Sequence, residues 1–384
     1  LISSARYLLV TNQYPSYYDI YRNGFVHSRV RSYQEYNGKF YVFRLAPDRD
    51  TRFHEYENID CITGASAQLD AMLTGNTYQT VCVHFLTQEM WNVLRPHVAN
   101  GLRVIIWIHG AEIQPWWRRQ FNYDTDAIIR IAKQETEQRM SFWRGVARRP
   151  PENLHFVFVS ESFFSEVQED LGFSIPKENY SIIHNPIDTD IFKYHKKDPE
   201  QRKKILSIRP FVSAKYANDL TVKAIQILSK DPIFKDIEFR IIGKGPLFES
   251  TVNSVRRYTN VHIEERFLSQ REISEIQKQY GVFLNPTRWD SQGVSRDEAM
   301  SSGLVPITNR NSAVPEFADE SCAFLVPPED SLELAEAIKT IYNDPIRFSV
   351  MSEAASKRVR RQSSKEIIIK RELSLIKAPD GSGV

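Results

Sequence analysis

The chain has 384 residues, more than one hydrophobic core usually supports, so two domains are expected. Its hydrophobic fraction of 41% and charged fraction of 26% are ordinary for a soluble globular protein and exclude a disordered or fibrous chain. A formal net charge of +2 excludes the strong basic field typical of nucleic-acid-binding proteins.

Short apolar runs alternate with amphipathic stretches along the whole chain, which predicts βαβ units and parallel sheets. In the first half the predicted strands are Tyr7–Thr11, Phe40–Leu45, Val81–Phe85, Val104–Ile108, Phe156–Val159 and Ser181–Ile183. In the second half they are Ile205–Ile208, Glu238–Ile242, Val261–Ile263, Val282–Leu284, Val305–Ile307 and Ala323–Val326. The clearest predicted helices are Asp219–Leu228, Gln270–Tyr280, Arg296–Ser302, Leu332–Tyr342 and Lys365–Ile376.

Two sets of about six strands predict two Rossmann-like, doubly wound domains. The polar stretch Lys193–Gln201, which contains Pro199, is the predicted linker. The sequence therefore divides into domains 1–195 and 196–362, a C-terminal helix at 363–378 that is expected to pack back towards the first domain, and an unstructured tail at 379–384.

Cysteine usage and hydropathy favour a cytoplasmic protein. The three cysteines, Cys61, Cys82 and Cys322, are widely spaced and form no Cys-x-x-Cys pair, which suits a reducing compartment. No stretch approaches 18 uncharged apolar residues, and no signal peptide is apparent. The start at Leu1 would fit a domain excised from a longer protein.

Two cations follow a predicted strand of the second domain. Arg209 comes directly after Ile205–Ile208, and Lys215 follows six residues later, before a helix. Ligands of open α/β sheets bind beyond the carboxyl ends of the strands. Two cations there, with the free N–H groups of a helix start, can clamp a diphosphate. The alternative is a solvated pair of loop side chains.

The segment after Val282–Leu284 offers groups for a sugar and a ribose. Asp290 can accept hydrogen bonds from sugar hydroxyls, and Glu298, about one turn into the next helix, can bind a ribose diol. The residues between them that are expected to face the donor are Ser291, Gly293, Val294 and Ser295. The alternative is a loop acid and a surface helix acid.

Two further candidate binding residues have weaker support in the sequence. Gly243, in the turn Gly243-Lys244-Gly245-Pro246, lets the backbone approach a ligand, although about half of such turns are plain turns. Arg266, after Val261–Ile263, is expected either to contact a nucleobase or to be a surface side chain.

These motifs resemble the donor domain of glycosyltransferase family 4. Arg209 and Lys215 keep the spacing of its cation pair, and Asp290 and Glu298 keep its acid-x7-acid motif, with Asp replacing the first Glu. The likeness is dense from Ser181 to Tyr342 and thinner before. Further matching segments are Asn23-Gly24-Phe25, Trp107-Ile108-His109-Gly110, Asn185-Pro186-Ile187-Asp188, Ile242-Gly243-Lys244-Gly245-Pro246 and Val314-Pro315-Glu316-Phe317.

The resemblance implies a GT-B fold, in which two Rossmann-like domains face each other across a cleft, the first on the acceptor side and the second holding the nucleotide-sugar. It implies a retaining, metal-independent glycosyltransferase that needs no cofactor. Its partners would be a nucleotide-diphosphate-sugar donor and a glycan or glycolipid acceptor, as in bacterial surface polysaccharide synthesis. His109 is expected to bond the donor sugar, and Gly24 to lie in a phosphate loop.

Departures from the family pattern keep two alternatives open. Ala217 and Asn218 stand where the family has glycine, Gln292 replaces an aromatic residue, and Asn23 replaces a glycine. One alternative is a non-catalytic domain that binds a glycan or a nucleotide-sugar within a larger protein. The other is a sugar-nucleotide epimerase of the same architecture, which would need a further acid/base pair beside the sugar.

Three further features have ordinary explanations. Asp-x-Asp triplets, which hold a metal in some transferases, begin at Asp48, Asp124 and Asp188, but chance matches are expected among 48 acids, so no metal site is predicted. The Trp116–Arg119 region is expected either to contact the inner face of a membrane or to pack its aromatic residues inward. His84 is expected to be structural.

Overall fold

The computed structural model describes residues 6–19, 22–36, 38–47 and 50–377. Asp48 and Arg49 of the first Asp-x-Asp triplet, and the tail 379–384, lie outside these ranges. The chain forms two compact units. Unit 1 comprises Leu1–Arg118, Arg130–Pro186 and Glu366–Val384, and unit 2 comprises Arg119–Ile129 and Ile187–Lys365.

Each unit is built around one sheet. The strands of unit 1 are β1 (Tyr7–Thr11), β2 (Phe40–Leu45), β3 (Arg52–Tyr56), β4 (Ile59–Gly64), β5 (Thr80–His84), β6 (Val104–Ile108), β7 (Leu154–Phe158) and β8 (Tyr180–Ile182). The strands of unit 2 are β9 (Lys204–Ile208), β10 (Glu238–Gly243), β11 (Val261–Glu265), β12 (Val282–Leu284), β13 (Val305–Asn309) and β14 (Phe324–Val326).

Helices alternate with these strands along the chain. They are α1 (Gly24–Glu35), α2 (Ser66–Gly75), α3 (Gln88–Ala99), α4 (Asp126–Ala147), α5 (Glu161–Leu171), α6 (Asn218–Leu228), α7 (Phe248–Val252), α8 (Gln270–Gln277), α9 (Val294–Ser301), α10 (Val314–Phe317), α11 (Ser331–Asn343), α12 (Pro345–Gln362) and α13 (Lys365–Lys377). Within the described ranges, no helix is both long and apolar enough to cross a bilayer.

The sheet of unit 1 has the strand order β3-β4-β2-β1-β5-β6-β7-β8. Its pairs are parallel except for β3 with β4, which form an antiparallel hairpin at one edge. The sequence predicted neither of these two strands, because they alternate polar and apolar residues instead of forming an apolar run. Their two-residue turn, Glu57 and Asn58, has positive φ angles of 47° and 63° but lacks the glycine that usually marks such a turn.

The sheet of unit 2 has the order β11-β10-β9-β12-β13-β14, with all pairs parallel. Counted from its own first strand, this is the doubly wound order 3-2-1-4-5-6 of dinucleotide-binding folds. Ile205 and Val282 face a core shared with α6 and α11, whereas Leu206 and Phe283 face a core shared with α8 and α9. The order reverses between β9 and β12, so the loops after these two strands form the place where such folds bind ligands.

Unit 2 begins at Ile187, ahead of the linker predicted at Lys193–Gln201. The backbone N–H of Ile187 donates to the carbonyl of Ser363 at 2.8 Å, and Lys365 N donates to the carbonyl of Ile187 at 2.8 Å. Phe192 is fully buried. The first unit therefore ends at Pro186 and not at 195, because this segment is already held inside unit 2.

Helix α13 completes the core of unit 1. Ile368, Ile369, Leu373 and Ile376 pack with the apolar side of the unit 1 sheet. The carbonyl of Ile376 also accepts a hydrogen bond from the Thr80 hydroxyl at 2.9 Å. The end of the described chain is thus part of the same core as its first strand.

Candidate functional site

Arg209 is the first residue after β9 and is only 4% exposed. Its Nη1 donates to the hydroxyl of Ser295 at 3.0 Å. Its Nε and Nη2 are buried and have no hydrogen-bond partner in the described part of the chain. Burial lowers the pKa of Arg209, and the nearby carboxylate of Asp290 opposes this effect. Because buried donors are nearly always paired, these two guanidinium nitrogens make Arg209 a candidate for ligand binding.

Lys215 lies beside Arg209 at one aromatic ring. Its Nζ is 4.9 Å from the ring centroid of Tyr216, and the guanidinium carbon of Arg209 is also 4.9 Å from that centroid. Lys215 Nζ is 5.7 Å from the ring centroid of Trp289. The structure therefore brings the two predicted cations together through cation–π contacts, and among the described residues Lys215 has no ion-pair partner.

Asp290 follows β12 and is held by three neighbours. Its N–H donates to the hydroxyl of Ser312 at 2.8 Å, its carbonyl accepts from Ala313 N at 3.3 Å, and its Oδ1 accepts from Gln292 N at 3.4 Å. The charge of Asp290 also opposes the lowering of the Arg209 pKa.

The start of α9 is shaped by a buried polar network. Gly293 has a φ of 97°, and a Cβ there would approach the Nη1 of Arg296 to 2.9 Å, so this turn requires glycine. Arg296 and Asp297 form a buried ion pair at 2.7 Å, and the side-chain amide of Gln292 donates to Asp297 at 3.1 Å. Gln292, which replaces a family aromatic residue, therefore adds a hydrogen bond to Oδ2 of a buried carboxylate whose Oδ1 is already paired with Arg296.

Glu298 lies one turn after Ser295 on α9, so the two side chains occupy one face of the helix. Gln270 of α8 donates to its carboxylate at 3.3 Å. Burial raises the pKa of Glu298 to about 8, although part of the side chain stays accessible to solvent. Ser291 and Val294 are likewise half-buried at the start of this segment. Ribose binding by Glu298 stays a prediction.

Gly243 and Arg266 have other partners in the structure. A Cβ at Gly243 would collide with the carbonyl oxygen of Arg209, so this glycine lets the loops after β9 and β10 pack together. The guanidinium of Arg266 pairs with Glu264 at 2.8 Å and with Glu272 at 3.1 Å on the surface. Donor contacts by these two residues stay predictions.

In unit 1, His109 lies just after β6 and forms a pair with His84, the last residue of β5. His84 Nδ1 and His109 Nε2 are 2.9 Å apart, and Phe25 and Phe85 pack against the His109 ring, with centroid distances of 5.0 and 4.7 Å. Burial lowers the pKa of both histidines well below the ordinary value, so both are neutral at pH 7. The carboxylate of Glu112 accepts from His109 N at 2.5 Å.

Sequence reasoning missed Glu112 and assigned His84 a structural role alone. Their positions at the carboxyl ends of β5 and β6 were the available signal, since parallel strands present these ends at one edge. Gly24 opens α1 after Asn23, whose φ of 53° is left-handed. In the described part of the chain this helix start has no side-chain cap, which leaves N–H groups for an anion.

In the Trp116–Arg119 region, Arg118 is held by the protein itself. Arg118 pairs with Asp170 at 3.1 Å and with Glu169 at 2.5 Å. Trp117 donates its indole N–H to Asp170 at 3.1 Å. Membrane contact by this region stays a prediction.

Asp188, which begins the third Asp-x-Asp triplet, has a structural role. Its Oδ1 caps the backbone N–H groups of Asp190 and Ile191 at 3.1 Å each, and its Oδ2 pairs with Lys365 at 3.0 Å. Among the residues that the structure describes, no group of three His, Cys, Asp or Glu side chains could hold a metal ion.

Residues 202–344 match the family described as glycosyl transferases group 1. The matched region contains β9 to β14 and therefore Arg209, Lys215, Asp290 and Glu298. A search among curated proteins found no significant sequence match.

Solved structures similar to this chain share its fold at low sequence identity. A glycosyltransferase from Rickettsia africae has 12% identity and a TM-score of 0.70 and covers 98% of both chains. Sucrose-phosphate synthase from Thermosynechococcus elongatus has 12% identity and a TM-score of 0.73, over 96% of this chain and 98% of its own. Anabaena HepE in complex with UDP and glucose has 13% identity and a TM-score of 0.68, and the match covers 97% of this chain and 99% of HepE.

These likenesses, together with the two parallel sheets, confirm the predicted fold of two Rossmann-like GT-B domains. The family match over 202–344 agrees with the predicted resemblance to a glycosyltransferase donor domain.

Proposed function

We propose that this protein is a retaining glycosyltransferase that moves a sugar from a nucleotide-diphosphate-sugar to a glycan or glycolipid acceptor. The observation that carries the proposal is the buried guanidinium of Arg209, whose Nε and Nη2 have no partner within the described chain. Leaving such donors unpaired costs about 1–3 kcal/mol. A bound diphosphate would offset that cost, because its oxygens accept from both nitrogens.

The proposed roles follow from the chemistry of the leaving group. Transfer releases a nucleoside diphosphate whose negative charge grows as the glycosidic bond breaks. Arg209 and Lys215, with the N–H groups at the start of α9, would stabilise that charge by preorganised electrostatics. Because the chain itself supplies two cations, the proposed reaction requires no metal ion.

The remaining side chains would position the donor. Glu298 accepts hydrogen bonds from the ribose hydroxyls, and Asp290 accepts hydrogen bonds from the hydroxyls of the donor sugar. His109, held neutral and oriented by His84, is proposed as a hydrogen-bond partner of the sugar during transfer. The buried free cysteines fit a protein of the cytoplasm. From the resemblance to family 4, we propose that the acceptor belongs to bacterial surface polysaccharide synthesis at the inner face of the membrane.

The test is transfer and hydrolysis by the purified protein with UDP-, GDP- and ADP-sugars. UDP-glucose comes first, since a structurally similar protein was solved with UDP and glucose. Arg209→Met and Asp290→Asn should lower turnover by at least about 100-fold. Arg256→Met, which removes an exposed partner of Glu249, is the matched control and should leave turnover unchanged.

The products separate the proposal from its alternatives. Retention of the anomeric configuration in the product, and turnover that persists with a metal chelator, support the proposed mechanism. Binding without turnover on any acceptor would favour a non-catalytic domain. Conversion of the donor into its epimer, without release of the nucleotide, would favour an epimerase.

A further inference from the structure

Arg288, in the loop between β12 and α9, uses all five of its guanidinium N–H donors on protein groups. Nε and Nη2 donate to the two carboxylate oxygens of Glu329 at 2.7 and 2.9 Å. Nη1 and Nη2 donate to the two carboxylate oxygens of Asp219 at 2.9 Å each. The fifth bond runs from Nη1 to the carbonyl of Ala214 at 2.7 Å. Since no donor is left for a ligand, Arg288 contrasts with Arg209.

The partners of Arg288 lie on both sides of Lys215. Ala214 precedes it, and Asp219 lies in the first turn of α6. The backbone N–H of Arg288 donates to the carbonyl of Lys215 itself at 2.9 Å, and the hydroxyl of Thr287 donates to the same carbonyl at 3.3 Å. The loop that carries Lys215 is therefore attached at several points to the loop that carries Asp290.

Arg288 also pairs its single positive charge with two carboxylates beside this loop. Although burial alone would raise the pKa of Asp219, the hydrogen bonds and charge of Arg288 hold it below its usual range. Without the guanidinium, Lys223 would be the remaining cation paired with Asp219 in the described part of the chain, at 3.6 Å. Arg288 therefore contributes both hydrogen bonds and positive charge beside the Lys215 loop.

We propose that Arg288 is a positioning residue for donor binding, which acts by locking the Lys215 loop onto the Asp290 loop. The inference rests on the proposed function, because Lys215 matters in this way only if a diphosphate binds there. It predicts that the effect of removing Arg288 passes through Lys215.

The test is a double-mutant cycle with Arg288→Met and Lys215→Met, read out by calorimetric binding of UDP and, in parallel, GDP. Arg288→Met alone should weaken binding by about tenfold or more, but by less than about twofold in the Lys215→Met background, because directly coupled residues are not additive. Arg256→Met is again the matched control and should leave binding unchanged.

Hydrogen exchange of the free proteins gives a second readout that needs no ligand. In Arg288→Met, amides of 213–218 should exchange faster, while those of α12 keep the wild-type rates. If Arg288→Met does not fold, Arg288→Lys replaces it in the cycle. Lysine keeps the positive charge but cannot bind two carboxylates through paired N–H groups, so the same coupling to Lys215 is expected.

The outcomes separate this inference from the proposed function. Additive losses in the cycle, or faster exchange throughout unit 2, would show that Arg288 stabilises the fold in general and would overturn the positioning role alone. Failure of the wild-type protein to bind UDP, GDP or, in the same assay, ADP would overturn both proposals. Coupled losses with exchange confined to the Lys215 loop would support both.

Discussion

The guanidinium of Arg29 donates a hydrogen bond of 3.1 Å to the carboxylate of Glu372, which lies 343 positions later in the sequence and is fully buried. The same carboxylate accepts from the hydroxyl of Tyr33 at 2.7 Å and from the indole N–H of Trp107 at 3.2 Å. One acid on α13 thus satisfies donors from α1 and β6, and it fixes the last helix in the core of unit 1.

We predict that Glu372→Gln lowers the free energy of unfolding of unit 1 by about 3–5 kcal/mol, because it leaves the buried charge of Arg29 without a counter-ion. Urea unfolding followed by circular dichroism measures this. Glu366→Gln on the same helix breaks only an exposed pair with Lys370 and should cost less than about 1 kcal/mol. Equal effects of the two variants would contradict the role given to Glu372.

Ala217 adopts a left-handed backbone, with a φ of 47°, directly before α6. This conformation costs an alanine about 1–2 kcal/mol, whereas glycine adopts it without that cost. We predict that Ala217→Gly raises the free energy of unfolding by up to about 1 kcal/mol, since glycine also gains entropy in the unfolded chain. Ala224→Gly, inside the same helix, should instead lower it by about 1 kcal/mol. Thermal unfolding compares them, and a destabilised Ala217→Gly variant would contradict the argument.

Glu298 makes the stability of the ligand-free protein depend on pH. Burial raises its pKa to about 8 from the ordinary value of 4.5, so between these pH values the folded state holds a proton that the unfolded state has lost. Its stabilising effect is complete below about pH 4.5 and is lost as the pH rises through 8, with a slope of at most about 1.4 kcal/mol per pH unit. Partial exposure of the side chain reduces that slope.

We therefore predict that Glu298→Gln flattens the fall of the unfolding free energy between about pH 5 and 8 and makes the protein more stable than wild type above pH 8. Urea titrations at a series of pH values measure this. Glu275→Gln, which changes an exposed partner of Lys278, is the control and should follow the wild-type curve. Parallel curves for wild type and Glu298→Gln would show that the carboxyl is not desolvated.

Much of the fold could be predicted because most strands are buried on both faces. The bounds of β1, β2, β6 and β12 agree with the predicted apolar runs. The hairpin of β3 and β4 could not be predicted in this way, since its strands are partly exposed and Glu57 and Asn58 replace the usual turn glycine. The end of unit 1 was misplaced because the pairing of Ile187 with Ser364 joins distant parts of the chain.

The candidate site shows the same division. Arg209, Lys215 and Glu298 were predicted to converge, because they follow strands whose carboxyl ends share one edge of the sheet. Arg209 and Lys215 do meet at the Tyr216 ring, and the common site with Glu298 stays a prediction. Arg288 was missed, since its partners Asp219 and Glu329 are remote in sequence and only the folded loops bring them together. The departures at 23 and 217 stand at positions with a left-handed backbone, which glycine adopts most easily.

The most direct measurement is thermal unfolding of wild type and Arg209→Met, with and without a saturating nucleoside diphosphate. Our account predicts that Arg209→Met unfolds at the wild-type temperature or higher without ligand, because a buried and incompletely paired charge is gone. It also predicts that the stabilisation by ligand seen in wild type is lost. A variant that keeps the ligand-induced shift, or that is destabilised by several degrees without ligand, would show that Arg209 supports the fold and does not bind a diphosphate.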